Sequence, residues 1–183
     1  MEPHTRALAK TASVHVKPYL AEYAMAKYPT DPANGGLLIP ESDDLYHCLW
    51  SVITRPRRDS RRHPSPNLTF SLPCPSPNTL GSAWKNPARY NHIPLLSMIE
   101  IERCLQRQFD FELHRAMFEN MESDHPVRQL DVALAFIRQY RLRSIGEESL
   151  LKNFSRYRNN LRLKKARRYT KGKRRLKPPS RQE

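Results

Sequence analysis

Apolar and polar positions change rhythm twice along this chain. Residues 1–12 show no periodic pattern and read as a flexible terminus. Val14 and Val16 then alternate with Ser13 and His15, the period-two mark of a short strand. Pro18 stands where a helix can begin, and Leu20, Tyr23, Ala24 and Lys27/Tyr28 keep a helical stripe until Pro29 and Pro32. The alternative for 18–28 is an extension of the strand. Asn34-Gly35-Gly36 is turn chemistry, followed by Leu37, Leu38 and Ile39 as a brief apolar strand that Pro40 stops. Ser42 is the expected cap of a helix whose buried stripe is Leu45, Tyr46, Leu49, Trp50 and Ile53, running to about Thr54 before Pro56. Leu68, Phe70 and Leu72 alternate with Thr69 and Ser71, predicting a strand with the first set inward and the second outward.

From about Pro94 the period becomes helical. Ser97 is the expected cap of a long helix, 97–122, with Ile101, Leu105, Phe109, Leu113, Met117 and Met121 four residues apart. Cys104, Phe111 and Phe118 form a second line. Steps of four drift by about 40° on a helix of 3.6 residues per turn, so the apolar surface spirals and the helix is expected to be packed on two sides. Ser123-Asp124-His125-Pro126 breaks it. Val127, Leu130, Ala133, Leu134 and Ile137 then predict another helix with Tyr140 at its edge, and 141–146 a turn. Leu150, Phe154, Tyr157 and Leu161 give the last helix a narrow stripe that does not continue past Lys164.

These elements predict an α+β chain, mostly α. A small body at 13–122 holds short strands and helices and the long helix. A two-helix module follows at 127–168, and 169–183, with Pro178-Pro179, is expected to be disordered when unbound. Eleven of the 16 prolines fall between Pro29 and Pro94, which keeps the middle of the chain to short elements and irregular links.

Charge changes this picture most. Residues 138–183 hold 17 Lys and Arg against Glu147, Glu148 and Glu183, a surplus equal to the formal net charge of +14 for the whole chain. The first 137 residues therefore balance. A second basic cluster, Arg55, Arg57, Arg58, Arg61 and Arg62, lies in an Arg/Pro/Ser-rich stretch at 55–66 that reads as a flexible loop. A polycationic end on a neutral body points to an anionic partner. With Leu150, Phe154, Tyr157 and Leu161 facing inward, the opposite side of the last helix shows Lys152, Ser155, Arg156, Asn159 and Arg162. Lys, Ser and Arg suit phosphates; Arg suits a guanine edge and Asn an adenine edge. Lys164, Lys165, Arg167, Arg168, Lys171, Lys173, Arg174 and Arg175 would then follow the phosphate backbone. The expected partner is nucleic acid, duplex DNA ahead of RNA.

Helix, short turn and basic helix over 127–160 resemble helix-turn-helix DNA-binding proteins. That family has Gly in the turn after the first helix, where this chain has Arg141-Leu142, with Gly146 later. Lys17-Pro18-Tyr19-Leu20, Lys85-Asn86-Pro87 with Tyr90-Asn91, the long helix and the terminal pair ending in Arg156-Tyr157-Arg158 are loosely similar in order to uncharacterised small proteins of bacterial transposable phages and mobile elements. The resemblance implies a DNA-related role in such an element, as a regulator of transcription or an accessory protein.

Catalytic patterns are not found. Glu100 and Glu102 point about 200° apart on a helix and cannot share a metal. Glu41, Asp43 and Asp44 gather at a helix start, where capping accounts for them. His47 beside Cys48 reads as a partly buried structural pair, and His92 and His114 as isolated. Cys48, Cys74 and Cys104 are far apart in sequence and support neither a zinc finger nor a disulfide framework, usage that suits a reducing cytosol. No apolar run reaches the roughly 18 residues that span a bilayer. The expectation is a cytoplasmic, non-enzymatic protein, nucleoid-associated in a bacterium, with no cofactor, no metal and no membrane partner. Two other readings stay open. One is RNA binding, with Tyr157, Tyr169 and the tail stacking on folded RNA. The other is an adaptor whose tail serves solubility or localisation. The pattern predicts that a chain ending at Arg143 stays folded but loses affinity for duplex DNA, as a gel-shift comparison with the full chain would show.

Overall fold

The structure is a computed structural model that describes residues 10–56, 65–72 and 85–175. It is mostly helical with one small antiparallel sheet, as the pattern predicts. Strand β1 (Lys10–Val14) pairs with β2 (Leu68–Leu72), Lys10 opposite Leu72 and Val14 opposite Leu68. Helices α1 (Pro18–Lys27) and α2 (Asp44–Val52) lie between them in sequence. Three more follow: α3 (Leu95–Glu122), α4 (Gln129–Gln139) and α5 (Glu147–Arg175). Among the described residues no helix is long and apolar enough to cross a membrane.

Local chemistry explains the boundaries. Pro18 opens α1 with its φ already helical, and the Lys17 carbonyl accepts from Leu20 and Ala21. Residues 18–27 are thus a helix and not a longer strand, with Tyr28 its extended C-cap. Asp43, not Ser42, caps α2, its Oδ1 accepting from the Leu45 N–H at 2.8 Å. The other end of α2 is closed by a distant lysine. Lys85 Nζ donates to the carbonyls of Trp50, Ser51 and Ile53 at 2.7, 2.9 and 2.7 Å, satisfying acceptors that a helix C-terminus leaves open.

Several expectations shift. Lys10, Thr11 and Ala12, assigned to a flexible terminus, are strand residues paired with Leu72, Ser71 and Phe70. Ser71, expected outward, is 3% exposed because the turn at Asp31–Asn34 covers it; its Oγ donates to Asp31 Oδ2 and accepts from Asn34 Nδ2. Leu37 makes single bridges to Thr30 and Phe70 in place of a strand. Gly36 permits that approach, since a Cβ there would lie 2.5 Å from the Ser71 nitrogen. The loop expected at 55–66 falls largely outside the described residues, and with it Arg57, Arg58, Arg61 and Arg62.

Helix α3 is the spine. It packs against α1, α2, α4 and α5, burying Met98, Ile101, Cys104, Leu105, Phe109, Leu113 and Met117. It starts two residues before the expected Ser97, with Pro94 as its cap. Phe111 and Met121, expected in the apolar lines, are 64% and 45% exposed; for Met121 the drift of the four-residue step carries it past the packed side. Phe109 meets Tyr19, Tyr23 and Phe136 edge-on at 5.3, 5.4 and 5.5 Å, gathering α1, α3 and α4 around one ring. In α4 the buried residues are Ala133 and Phe136. Val127 and Leu130 are exposed, since α4 starts only at Gln129 and Phe136, three residues past Ala133, takes the inward position.

A polar contact crosses the same region. Glu112 of α3 accepts from Lys27 Nζ at 2.8 Å and from the Tyr140 hydroxyl, and Lys27 also donates to the Tyr23 hydroxyl at 3.1 Å. Burial opposes ionisation of Glu112, but hydrogen bonds from Lys27, Tyr140 and Tyr23 outweigh it and hold the carboxyl below its usual range. A depressed carboxylate contributes stability that is complete above the unfolded value, about 4.3, and is lost as pH falls through the folded one. Replacing Glu112 by Gln is therefore expected to cost about 1–3 kcal/mol at neutral pH and less in acid. Urea unfolding between pH 7 and pH 3 checks this; an equal loss at both ends would contradict it.

Candidate nucleic-acid interface

The basic helix is held by a turn that the sequence disguises. Helix α4 ends in a left-handed residue, Arg141 at φ 51, with Arg141 N–H donating to Arg138 and Leu142 N–H to Ile137. This is the paired bonding of a Schellman cap, normally completed by Gly. Arg141 fills the position of the expected glycine, and Gly146 lies at the start of α5, its carbonyl accepting from Ser149 and Leu150. Leu142 is buried behind the cap. The Glu22 carboxylate of α1 then accepts from the N–H groups of Arg143 and Ser144, at 2.7 and 3.2 Å. Burial raises its proton affinity, but these bonds outweigh that and hold the group below its usual range.

The first half of α5 lies on the spine. Leu150 and Phe154 are buried and Leu161 is half-buried as the stripe predicts, but Tyr157, expected inward, is 38% exposed. Phe154 meets Phe118 edge-on at 5.2 Å. Tyr157 stacks on His114, with ring centres 3.9 Å apart and planes at 14°. His114, expected to be isolated, also has Nε2 2.7 Å from Asn153 Oδ1, and Asn153 Nδ2 donates to Asp110 at 2.8 Å. Asn153 was not among the residues expected to matter. Its partners lie on another helix, so no local pattern signals it.

The candidate site residues divide along the helix. Lys152, Arg156 and Asn159 are exposed and Ser155 is half-buried, on the side away from the spine. Lys152 Nζ is 3.6 Å from Glu148, so part of its charge is already answered inside the helix. Arg158, absent from the expected set, is half-buried with its guanidinium 6.0 Å from the Phe154 ring. Arg162, Lys164, Lys165 and Arg167 are all exposed. The backbone stays helical to Arg175, past the boundary expected at Arg168. Arg168, Lys171, Lys173, Arg174 and Arg175 thus belong to α5, although their side chains are outside the described set, as is all of 176–183.

At about 100° per residue, Lys165 returns to the side that Leu150 and Phe154 use lower down. Below Leu161 the spine occupies that side; at Lys165 a cation takes the place of an apolar residue. The helix also carries Glu147 and Glu148 in its first turn and cations toward its end, the arrangement its dipole favours. Such a rod can neutralise a row of phosphates but presents acid at its N-terminus, the end from which a helix-turn-helix recognition helix reads bases.

Among the described residues no group of three His, Cys, Asp or Glu side chains is placed to hold a metal ion. No protein family, curated protein or solved structure matches the chain.

The cap yields a sharp expectation. Arg141→Gly removes a left-handed non-glycine and should stabilise the protein by about 0.5–1 kcal/mol, whereas Arg141→Val should destabilise it by at least as much. Thermal unfolding of both variants checks the sign; a stabilising valine would overturn the assignment.

Proposed function

We propose that this protein binds nucleic acid, duplex DNA in the first place, through the end of α5 that extends past Leu161, as a non-enzymatic accessory or regulatory protein. One observation carries the reading: Arg162, Lys164, Lys165 and Arg167 are all exposed on a continuous helix whose lower half is anchored to the spine. A cationic helix with an anchored base orients its phosphate contacts, and the neutralisation they bring removes the repulsion among its own charges. Arg156 and Asn159, on the exposed side just below, are the candidates for base edges.

The helix-turn-helix form of the reading is narrowed. Glu147 and Glu148 occupy the first turn, so contact through the N-terminal residues of α5 would set two carboxylates against phosphates. A groove-following basic helix fits the charge distribution better. The RNA reading loses one of its two stacking tyrosines, because Tyr157 is already stacked on His114. The association with a mobile element, and a cytoplasmic or nucleoid location, stay proposals that rest on the sequence resemblance and on charge.

The structure moves the informative truncation. Leu150 and Phe154 belong to the core, so a chain ending at Arg143 should lose stability as well as binding. A chain ending at Leu161 keeps both residues and removes the upper helix. It should keep its unfolding temperature within a few degrees and lose most affinity for duplex DNA. Changing Arg162, Lys164, Lys165 and Arg167 together to Gln should lower the slope of log K against log salt by about 3–4. Arg156→Ala and Asn159→Ala should alter preference among duplex sequences with little change in slope. Fluorescence anisotropy with labelled duplex, and competition by structured RNA, measure each quantity. Equal affinity of the full chain and the chain ending at Leu161 would overturn the proposal, and preference for RNA would replace DNA as the partner.

A further inference from the structure

Two thiols that lie far apart in the sequence meet between α2 and α3. The Cys48 Sγ lies 3.7 Å from the carbonyl oxygen of Glu100 on α3. That carbonyl is one turn before Cys104, and a helical side chain leans back over the turn that precedes it. The Cys104 side chain therefore leans toward this spot, and the two thiols are near enough to shift each other's ionisation. Both cysteines are unbridged.

Cys104 is 2% exposed as a residue but forms part of the wall of an open recess of about 370 Å³. Asp44, Arg107, Gln108 and Phe111 line the rest. The neighbouring Cys48 holds the Cys104 thiol below its ordinary proton affinity, with Arg107 adding its charge and a hydrogen bond; burial and Asp43 oppose them. The Cys48 thiol is pushed up by its neighbour Cys104 and by burial. The two sulfurs are placed differently: Cys104 lines the recess, whereas Cys48 Sγ donates to the Glu100 carbonyl, a bond that uses its proton.

We propose that Cys104 is an oxidation site for a small uncharged hydroperoxide entering this recess, and that Cys48 resolves the product into a disulfide joining α2 to α3. The Cys104 thiolate attacks the distal oxygen of the hydroperoxide and the O–O bond breaks. The sulfur becomes a sulfenic acid, and the leaving alkoxide or hydroxide takes a proton to depart as alcohol or water. The Cys48 sulfur then attacks the Cys104 sulfur; the S–S bond forms, the S–O bond breaks, and the expelled hydroxide combines with the Cys48 proton as water. The hydroperoxide is the two-electron oxidant and the two thiols together are the reductant. Asp43 and Asp44 beside the recess disfavour an anionic oxidant.

The test uses the full chain with Cys74→Ser, which leaves these two thiols as the only ones. Treated with hydrogen peroxide at neutral pH, the protein should lose two hydrogens in mass without gaining oxygen. Its digest should contain a Cys48–Cys104 linked pair that reductant releases, and its unfolding temperature should rise. Adding Cys48→Ser should divert the reaction to a sulfenic acid on Cys104, trapped by dimedone. Alkylation of Cys104 by iodoacetamide should show a midpoint below about 8.5, the ordinary thiol value, and Arg107→Gln should raise it. The linked pair and the alkylation midpoint are read without changing either cysteine, so a serine variant that folds poorly does not decide the matter. Two unreacted thiols after peroxide, oxidation beginning at Cys48, disulfides only between chains, or an alkylation midpoint that Arg107→Gln leaves unmoved would each overturn the proposal.

Discussion

One carboxylate holds α1, α3 and the end of α4 in register. Glu112 sits on the spine, receives Lys27 from α1 and Tyr140 from the end of α4, and is mostly out of solvent. A buried charge is costly unless its partners are fixed, so the contact specifies one arrangement more than it adds net stability. Lys27 without Glu112 would be a half-buried cation, and Tyr140 would lose the acceptor for its hydroxyl. Beside it, Phe109 packs against Tyr19, Tyr23 and Phe136. The apolar cluster supplies the cohesion, and the polar contact decides which helix faces meet.

From that point the direction of α5 follows step by step. Tyr140 is fixed by Glu112, Arg141 turns the backbone left-handed, Leu142 is buried and Glu22 holds the next two amides. The turn is thus bound to α1 as well as to α4. Asn153, His114 and Tyr157 then hold the first turns of α5 along the spine. The proposed interface depends on this chain of contacts because a rod can present a row of cations only if its base is fixed.

Much of this was legible in the sequence, and what was missed has a common cause. The long helix, the strand at Leu68–Leu72 and the stripe of Leu150, Phe154 and Leu161 were visible because regular burial imposes a regular period. Polar partners leave no period. Lys85 closing α2, Glu22 gripping the α4–α5 turn and Asn153 joining Asp110 to His114 each connect distant residues, and nothing local announces them. Ser71 looked outward by alternation but is covered by a turn from elsewhere in the chain. The meeting of Cys48 and Cys104 was hidden in the same way, since spacing reports pairs on one element and not across two. For the basic residues, composition gave the charge but not the shape: a tail expected to be disordered from 169 is helical to Arg175.

That extension raises an energetic question with a consequence for function. Beyond Leu161 the described residues of α5 are exposed, so packing does not hold this part helical. Arg158 and Arg162 are four apart, Arg162 and Lys165 three, Lys164 and Arg167 three; like charges at those spacings destabilise a helix by about 0.2–0.5 kcal/mol per pair. Opposing this are the good helix propensities of Lys, Arg, Leu and Ala, the favourable placement of cations near a helix C-terminus, and an anchored base that removes the cost of nucleation. The balance is close, and the repulsive part vanishes when phosphates neutralise the cations. Binding a polyanion would therefore stabilise the same helix that binds it. In the proposed interface the helix and its ligand are thus coupled, the anchored base supplying the direction and the ligand removing the repulsion.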